Sequence, residues 1–298
     1  MNLTELTSPI RLYWDIDQAG GLPVSEYGRV AEEVVANKFL SLQITDTTPG
    51  LCQSSKTVLD TLKEKPIALS MVAPIAGLDT NAMDLLKRSA VKVVFVQAVK
   101  PGDLSLVADI AKKAGGKPAI GVAFPVNRDN FHSLPEVLKS CIDHRIEHLL
   151  LPMQRLMTDE KCFSFSKKER TELAARLSAI EKPSWLKITI HDPFLWRAFF
   201  PKVEFPNGGC QAANTMLYIS PDGDVYPCPT LPVKLGNLLT TPLKEVIRST
   251  GKQELRKSIL ERPSACISCG DWAQCKGGCR GRACSMSRTM QEPDPSCA

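Results

Sequence analysis

A chain of 298 residues with 43% hydrophobic and 23% charged residues carries enough apolar material for one large domain or two smaller ones, which excludes global disorder. Its formal net charge of +5 is spread over interspersed Lys, Arg, Asp and Glu with aromatics at 6%, so no basic stripe points to nucleic acid. The opening MNLTELTSPIRLYWDID interrupts any apolar run with polar and acidic residues, and no later window offers about 18 consecutive apolar positions, so a cytoplasmic protein without membrane contact is expected.

Up to residue 200, apolar segments of strand length recur at 10–16, 39–45, 67–72, 91–98, 119–124, 147–151 and 186–190. Amphipathic stretches at 25–37, with Ser25 as candidate N-cap, and at 80–89, 103–113 and 167–180 read as helices between them. This alternation predicts an α/β fold with a parallel sheet and helical crossovers. A complete eight-unit barrel takes about 250 residues, whereas only six or seven units fit here, so a partial (β/α) barrel fits better than a full one. An open doubly wound sheet is the alternative, since periodicity does not give strand order. Gln18-Ala19-Gly20-Gly21 lacks the dinucleotide-binding pattern, and no GxxxxGK[ST] occurs.

Beyond residue 200 the pattern changes to short strands and turns. Segments 216–220 and 224–226 flank Pro221-Asp222-Gly223, a hairpin signal, and a helix follows at 242–249, extendable to Leu260. The remainder is loop-rich with little core of its own, so bound metal is expected to hold it together. The expected division is 1–200 for the barrel and 201–298 for the C-terminal domain.

The chain has eleven cysteines, of which only Cys52, Cys141 and Cys162 fall before residue 200. In a reducing compartment such crowding points to metal ligation rather than disulfides. The C-terminal pattern is Cys210-x12-Gly223-x4-Cys228, then Cys266-x2-Cys269-x5-Cys275-x3-Cys279, then Cys297. A CxxC loop lets two thiolates reach neighbouring corners of one metal centre, and the hairpin brings Cys210 and Cys228 together at its base. Paired loops of this type also build zinc–thiolate sites that only stabilise a fold.

With Tyr218-Ile219-Ser220-Pro221-Asp222-Gly223-Asp224-Val225-Tyr226-Pro227-Cys228, Leu235-Gly236-Asn237 and Lys276-Gly277-Gly278-Cys279-Arg280, the seven-cysteine pattern resembles the SPASM domain. That module carries auxiliary clusters in radical S-adenosylmethionine enzymes that modify peptides. The resemblance implies a small loop-rich, cysteine-rich SPASM domain with a β-hairpin and one or two helices. It also implies two auxiliary [4Fe–4S] clusters, the first on Cys210, Cys228 and Cys279 and the second on Cys266, Cys269, Cys275 and Cys297. Some family members place a further cysteine within the hairpin pair. This sequence has none there, which leaves the first cluster with an open iron or with Cys284 as its fourth ligand.

The enzymes so resembled carry C-x3-C-x2-C after the first strand of a partial barrel. Residues 12–23 here contain no cysteine, and of the Gly-Gly-Glu-Pro segment after the second strand only the proline is matched, in Thr45-Asp46-Thr47-Thr48-Pro49-Gly50. The resemblance therefore implies a degenerate radical SAM-like barrel that does not use S-adenosylmethionine and is not an autonomous radical enzyme. The plan is similar to that of SPASM-domain companion proteins, with GeoRSP-type peptide modification as the nearest system. Expected partners are a radical SAM/SPASM enzyme and a precursor peptide, with a role in electron transfer or partner binding. A stand-alone electron carrier and a structural zinc–thiolate interaction module are the alternatives.

Cys52, Cys141 and Cys162 match no ligand spacing and are expected to be ordinary core or loop residues. Asp15, Asp17, Asp46 and His191-Asp192 fall at strand C-termini, where barrels place their chemistry, yet strand-end caps are the more economical reading. Trp14, Trp185 and Trp196 are expected in the core, and His132, His144 and His148 at the surface.

Overall fold

The computed structural model describes residues 5–16, 21–156, 162–203 and 209–297, so Asp17 and Gln18-Ala19-Gly20 lie outside the described residues. Each expected apolar run forms a strand: β1 (Arg11–Ile16), β2 (Ser41–Asp46), β3 (Ala68–Pro74), β4 (Val91–Gln97), β5 (Ala119–Ala123), β6 (His148–Leu151) and β7 (Lys187–Ile190). The connecting helices are α1 (Val24–Ala36), α2 (Gln53–Leu62), α3 (Thr80–Arg88), α4 (Leu104–Ala114), α5 (Leu134–Asp143), α6 (Lys167–Ser178) and, after β7, α7 (Pro193–Phe199).

Local chemistry explains several boundaries. Helix α6 opens on a reciprocal capping box between Ser166 and Glu169. Helix α1 begins one residue before the expected start, with Pro23 rather than Ser25 at the N-cap position. Proline's fixed φ presets that entry without a side-chain cap. Tyr27, Val30, Ala31 and Val34 then form the buried face of α1 at helical spacing, and Tyr27 stacks on Trp14 with ring centroids 5.5 Å apart. Each such large apolar side chain contributes about 1.5–3 kcal/mol on burial. Val30→Asp would place an unpaired charge in that face.

The strand order is β10-β9-β8-β1-β2-β3-β4-β5-β6-β7, and pairing is parallel from β8 through β1 to β7. The barrel strands follow one another without the reversal that defines a doubly wound sheet, so the fold is a partial (β/α) barrel, open at β7. The C-terminal hairpin, β8 (Met216–Ile219) with β9 (Asp224–Tyr226), joins this sheet, and β10 (Gly236–Asn237) completes it. At the hairpin tip Gly223 has φ +79°, and a Cβ there would lie 2.5 Å from Leu22, so the turn requires glycine both for conformation and for close approach.

Helices α8 (Leu243–Arg248) and α9 (Thr250–Leu260) are separate where one continuous helix was an option. Ser249 ends the first and, through a bond from the Lys252 N–H, caps the second. Two further helices, α10 (Trp272–Cys275) and α11 (Arg280–Ser287), exceed the one or two expected. The main core lies between the outer face of the sheet and helices α1–α8, whereas Val72, Ala123 and Leu150 form a small cluster of their own. Among the described residues no helix is long and apolar enough to cross a membrane.

Candidate metal centre and barrel mouth

Alternation along the strands places Tyr13 and Asp15, Gln43 and Thr45, Val72, and Gln97 on a cavity of about 650 Å³ at the strand C-termini. Arg155, just beyond β6, reaches Asp15 at the end of β1 by two charge-assisted bonds, Nε to Oδ2 at 2.6 Å and Nη2 to Oδ1 at 2.9 Å. Tyr218 of β8 donates to the same Oδ2 at 3.0 Å, and the Arg155 guanidinium sits 5.3 Å from its ring centroid. Burial, then the Asp15 charge, pushes the Tyr218 phenol upward. Burial alone would lower Arg155, but Asp15 outweighs it and the guanidinium is held charged.

The other strand-end groups divide into caps and contacts. Asp46 is fully buried and accepts bonds from the backbone N–H of Thr48 and Cys52 at 2.9 Å each, from Ser55 Oγ at 2.6 Å, and from the Thr48 hydroxyl. The 45–50 segment is thus tied to its own neighbouring helix. Asp192 caps α7 by accepting the N–H of Phe194 and Leu195. His191 shares a 3.0 Å hydrogen bond with Tyr13, and burial followed by the Arg11 charge lowers its pKa to about 4, so the imidazole is neutral.

The C-terminal cysteines fall into two electrostatic groups. Burial and then Cys210 raise the Cys228 thiol to about 12, while burial, Asp294, Cys210 and Cys228 raise Cys279 well above its ordinary value. Burial, Cys275 and Cys269 raise Cys266; burial, Cys275, Cys266 and Cys269 raise Cys297. All these cysteines are free. A second cavity of about 560 Å³ meets Cys210, Cys228, Cys275 and Cys279. Cys284 packs beside the cluster that contains Cys228, yet its electrostatic neighbour is Arg288 rather than another thiol. Among the described residues no group of three or more His, Cys, Asp and Glu side chains converges as ligands of a single ion. Thiolates on the corners of a polynuclear cluster need to stand wider apart than that.

Two buried arginines frame these groups. Arg282, 2% exposed, pairs with Asp294 through Nη2–Oδ2 at 2.8 Å and with Asp192 of the barrel. Asp294 in turn accepts the Cys279 N–H at 2.5 Å. Arg280, 1% exposed, donates to Met290 O and Glu261 O, but its buried Nε has no hydrogen-bond partner among the described residues. Burial lowers the pKa of Arg280, and Cys210, Cys266 and Cys275 oppose that shift, so its charge is felt by both thiol groups. A buried cation with an unsatisfied donor beside two sets of free thiols fits anionic iron–sulfur clusters.

Cys141 is fully buried on α5, Cys52 sits at the N-cap of α2, and Cys162 lines the barrel-mouth cavity, where its charged neighbours are Arg282 and Asp294 rather than another thiol. Trp14 is fully buried, while Trp185 and Trp196 are half-buried. His132 and His144 are exposed, and His148 is half-buried. Sequence reasoning missed Arg155, Arg282 and Asp294. Only the Arg280 beside Cys279 belonged to a quoted motif, and the others pair across distances in sequence that leave no local spacing to read.

Residues 210–270 match the SPASM family, described as an iron–sulfur cluster-binding domain. An AdoMet-dependent heme synthase of Nitratidesulfovibrio vulgaris is 32% identical over 90 residues, covering 30% of this chain and 24% of its own length. The mycofactocin maturase MftC of Mycolicibacterium smegmatis is 32% identical over 93 residues, covering 30% and 23%. The chain thus spans about a quarter of the length of these relatives. Over nearly its whole length the fold is similar to Streptococcus suis SuiB bound to precursor peptide SuiA, with TM-score 0.72, 17% identity, and coverage of 98% of this chain and 76% of that one. It is similar also to anSMEcpe with bound AdoMet, with TM-score 0.70, 15% identity, and coverage of 97% and 94%.

Proposed function

Because residues 210–270 match the SPASM family and the fold is similar to those of SuiB and anSMEcpe, we propose that the chain is an accessory protein carrying two auxiliary [4Fe–4S] clusters and assisting a partner radical SAM/SPASM enzyme in peptide modification. The carrying observation is the division of the thiols into two mutually influencing groups around the buried, partly unsatisfied Arg280. Cys210, Cys228 and Cys279 hold the first cluster, and Cys266, Cys269, Cys275 and Cys297 the second. Cys284, influenced by Arg288 rather than by a thiol, is left outside, so the first cluster keeps a position open to the cavity. The domains are 1–200 and 201–298, in the cytoplasm.

Bound clusters supply one-electron transfer. The chain's residues hold them, shield the first by burial at the barrel interface, and leave the second near the surface through the exposed Cys297. The barrel mouth supports binding rather than S-adenosylmethionine cleavage. No cysteine lies in residues 17–23 directly after β1, the Asp46 loop bonds to itself, and the Asp15–Arg155 pair crosses the mouth. Amide and hydroxyl groups of Gln43, Thr45, Gln97 and Asn127 line it, a surface suited to peptide backbone, and a precursor peptide of a GeoRSP-type system is the corresponding ligand.

The test is anaerobic purification with reconstitution, counting iron, sulfide and zinc and assaying S-adenosylmethionine cleavage. About eight irons and eight sulfides per chain with no cleavage are expected. Zinc without sulfide would replace this reading with a structural thiolate module, and cleavage by the protein alone would end the accessory role. The exposed second group supports one other reading, a stand-alone electron carrier, distinguished by fast exchange with a reductase in the absence of any partner enzyme.

A further inference from the structure

Arg280 is the first residue of α11, directly after Cys279. Its guanidinium is buried to 1% exposure. Two of its nitrogens are committed to carbonyl oxygens, Nη1 to Met290 at 3.1 Å and Nη2 to Glu261 at 2.8 Å, while Nε has no partner among the described residues. An unpaired buried donor on a cation is costly relative to water, so an arginine in this position calls for an anionic acceptor.

Gly277 supplies an independent observation. A Cβ there would lie 3.0 Å from Arg280 Cζ and from Nη2, and 3.1 Å from Nη1, at a φ of +88°. The loop between Cys275 and Cys279 is therefore shaped around the guanidinium. Every residue with a side chain in that position would press on it. The cysteines that act on Arg280 come from both groups, Cys210 from the first and Cys266 and Cys275 from the second. By contrast Arg282, two residues on, is fully engaged by Asp192 and Asp294.

We propose that Arg280 is a redox-positioning residue placed between the two clusters, its Nε–H donating to a cluster sulfur and its charge stabilising the reduced form of both. The inference rests on the proposed cluster-binding function. Reduction adds one electron to a cluster from an external one-electron donor, and no bond is made or broken. The added negative charge is attracted by the fixed cation, and a hydrogen bond to sulfur acts in the same direction. Because the same cation serves both clusters, it also offsets the repulsion between them when both are reduced.

The experiment is an EPR-monitored redox titration of the reconstituted full chain, wild type against Arg280→Met and Arg280→Lys, with iron and sulfide counted in each sample. Arg280→Met is expected to shift the reduction equilibrium of both clusters at least tenfold toward the oxidised form, which is 59 mV for a one-electron couple. Arg280→Lys, which keeps the charge but loses the forked donor, is expected to fall between. Unchanged midpoints in fully loaded Arg280→Met overturn the proposal.

Should that variant fail to hold its clusters, the reduced wild-type protein labelled with 15N-arginine gives a second reading by pulsed electron–nuclear spectroscopy. A nitrogen coupling that disappears in Arg280→Lys supports the bond. Its absence from loaded wild-type protein overturns the bond while leaving the cluster assignment intact. A chain that takes up no iron and sulfide overturns the cluster reading and this inference with it.

Discussion

The barrel and the C-terminal segment are held together by different means. In the barrel, large apolar side chains such as Trp14, Leu42, Ile44, Val94 and Phe124 are fully or almost fully buried in one continuous core. In the C-terminal segment, the cluster that includes Met216, Tyr218, Leu231, Leu255 and Ile259 is small, and the most deeply buried side chains include Arg280, Arg282 and Asp294. A hydrophobic core is insensitive to what the protein binds, whereas buried charge and thiol are stable only with their partners in place. With the clusters proposed above, the barrel folds on its own composition and the C-terminal segment on what it binds.

Iron chelation is the largest test of that contrast. Stripping the protein anaerobically is expected to abolish hydrogen-exchange protection between residues 261 and 297 while strands β1–β7 keep theirs. Helix α8 marks the border, since Leu243, Val246 and Ile247 belong to the barrel core, and it should stay protected. Loss of protection across the barrel would remove the distinction altogether.

Next in size is Arg282→Met, which leaves the carboxylates of Asp294 and Asp192 without their common cation. Breaking one partner of a buried pair costs about 3–5 kcal/mol, to be read by denaturant unfolding of the loaded protein. A smaller effect is expected from His191. Its folded pKa of about 4 lies below the unfolded value, so the neutral ring contributes stability that is fully present above about pH 6.5 and is lost as pH falls toward 4. Between pH 7 and 5 this amounts to about 2 kcal/mol, absent in His191→Gln, and equal pH slopes for the two proteins would show that the ring does not titrate as buried. The smallest is Lys168→Ala on α6, whose exposed pair with Glu172 spans 3.9 Å and is expected to change stability by less than about 0.5 kcal/mol.

What could be read in advance follows the same division. Strand positions were legible because buried parallel strands are written as short apolar runs, and the hairpin because Pro221-Asp222-Gly223 specifies its own turn. Strand order was not, since it depends on which edges meet, and only the structure excludes the doubly wound alternative. The grouping of seven of the eight C-terminal cysteines was implied by the family resemblance, which left Cys284 open. Arg155 with Asp15 and Arg282 with Asp192 were not visible, because each pair lies 140 and 90 residues apart and an ion pair has no periodicity. Helix α11 was missed because Arg280-Gly-Arg-Ala-Cys-Ser-Met-Ser has no apolar stripe. It is helical by virtue of what it packs against: a Cβ on Gly281 would lie 2.5 Å from Thr230 O.

The pairing of β8 with β1 carries a consequence for biogenesis. Arg11 finds Met216 only when about two hundred further residues have been made, so one edge of β1 stays uncovered while they are made. At about 5–20 residues per second that interval is roughly 10–40 s, long enough for an unpaired strand to meet another nascent chain.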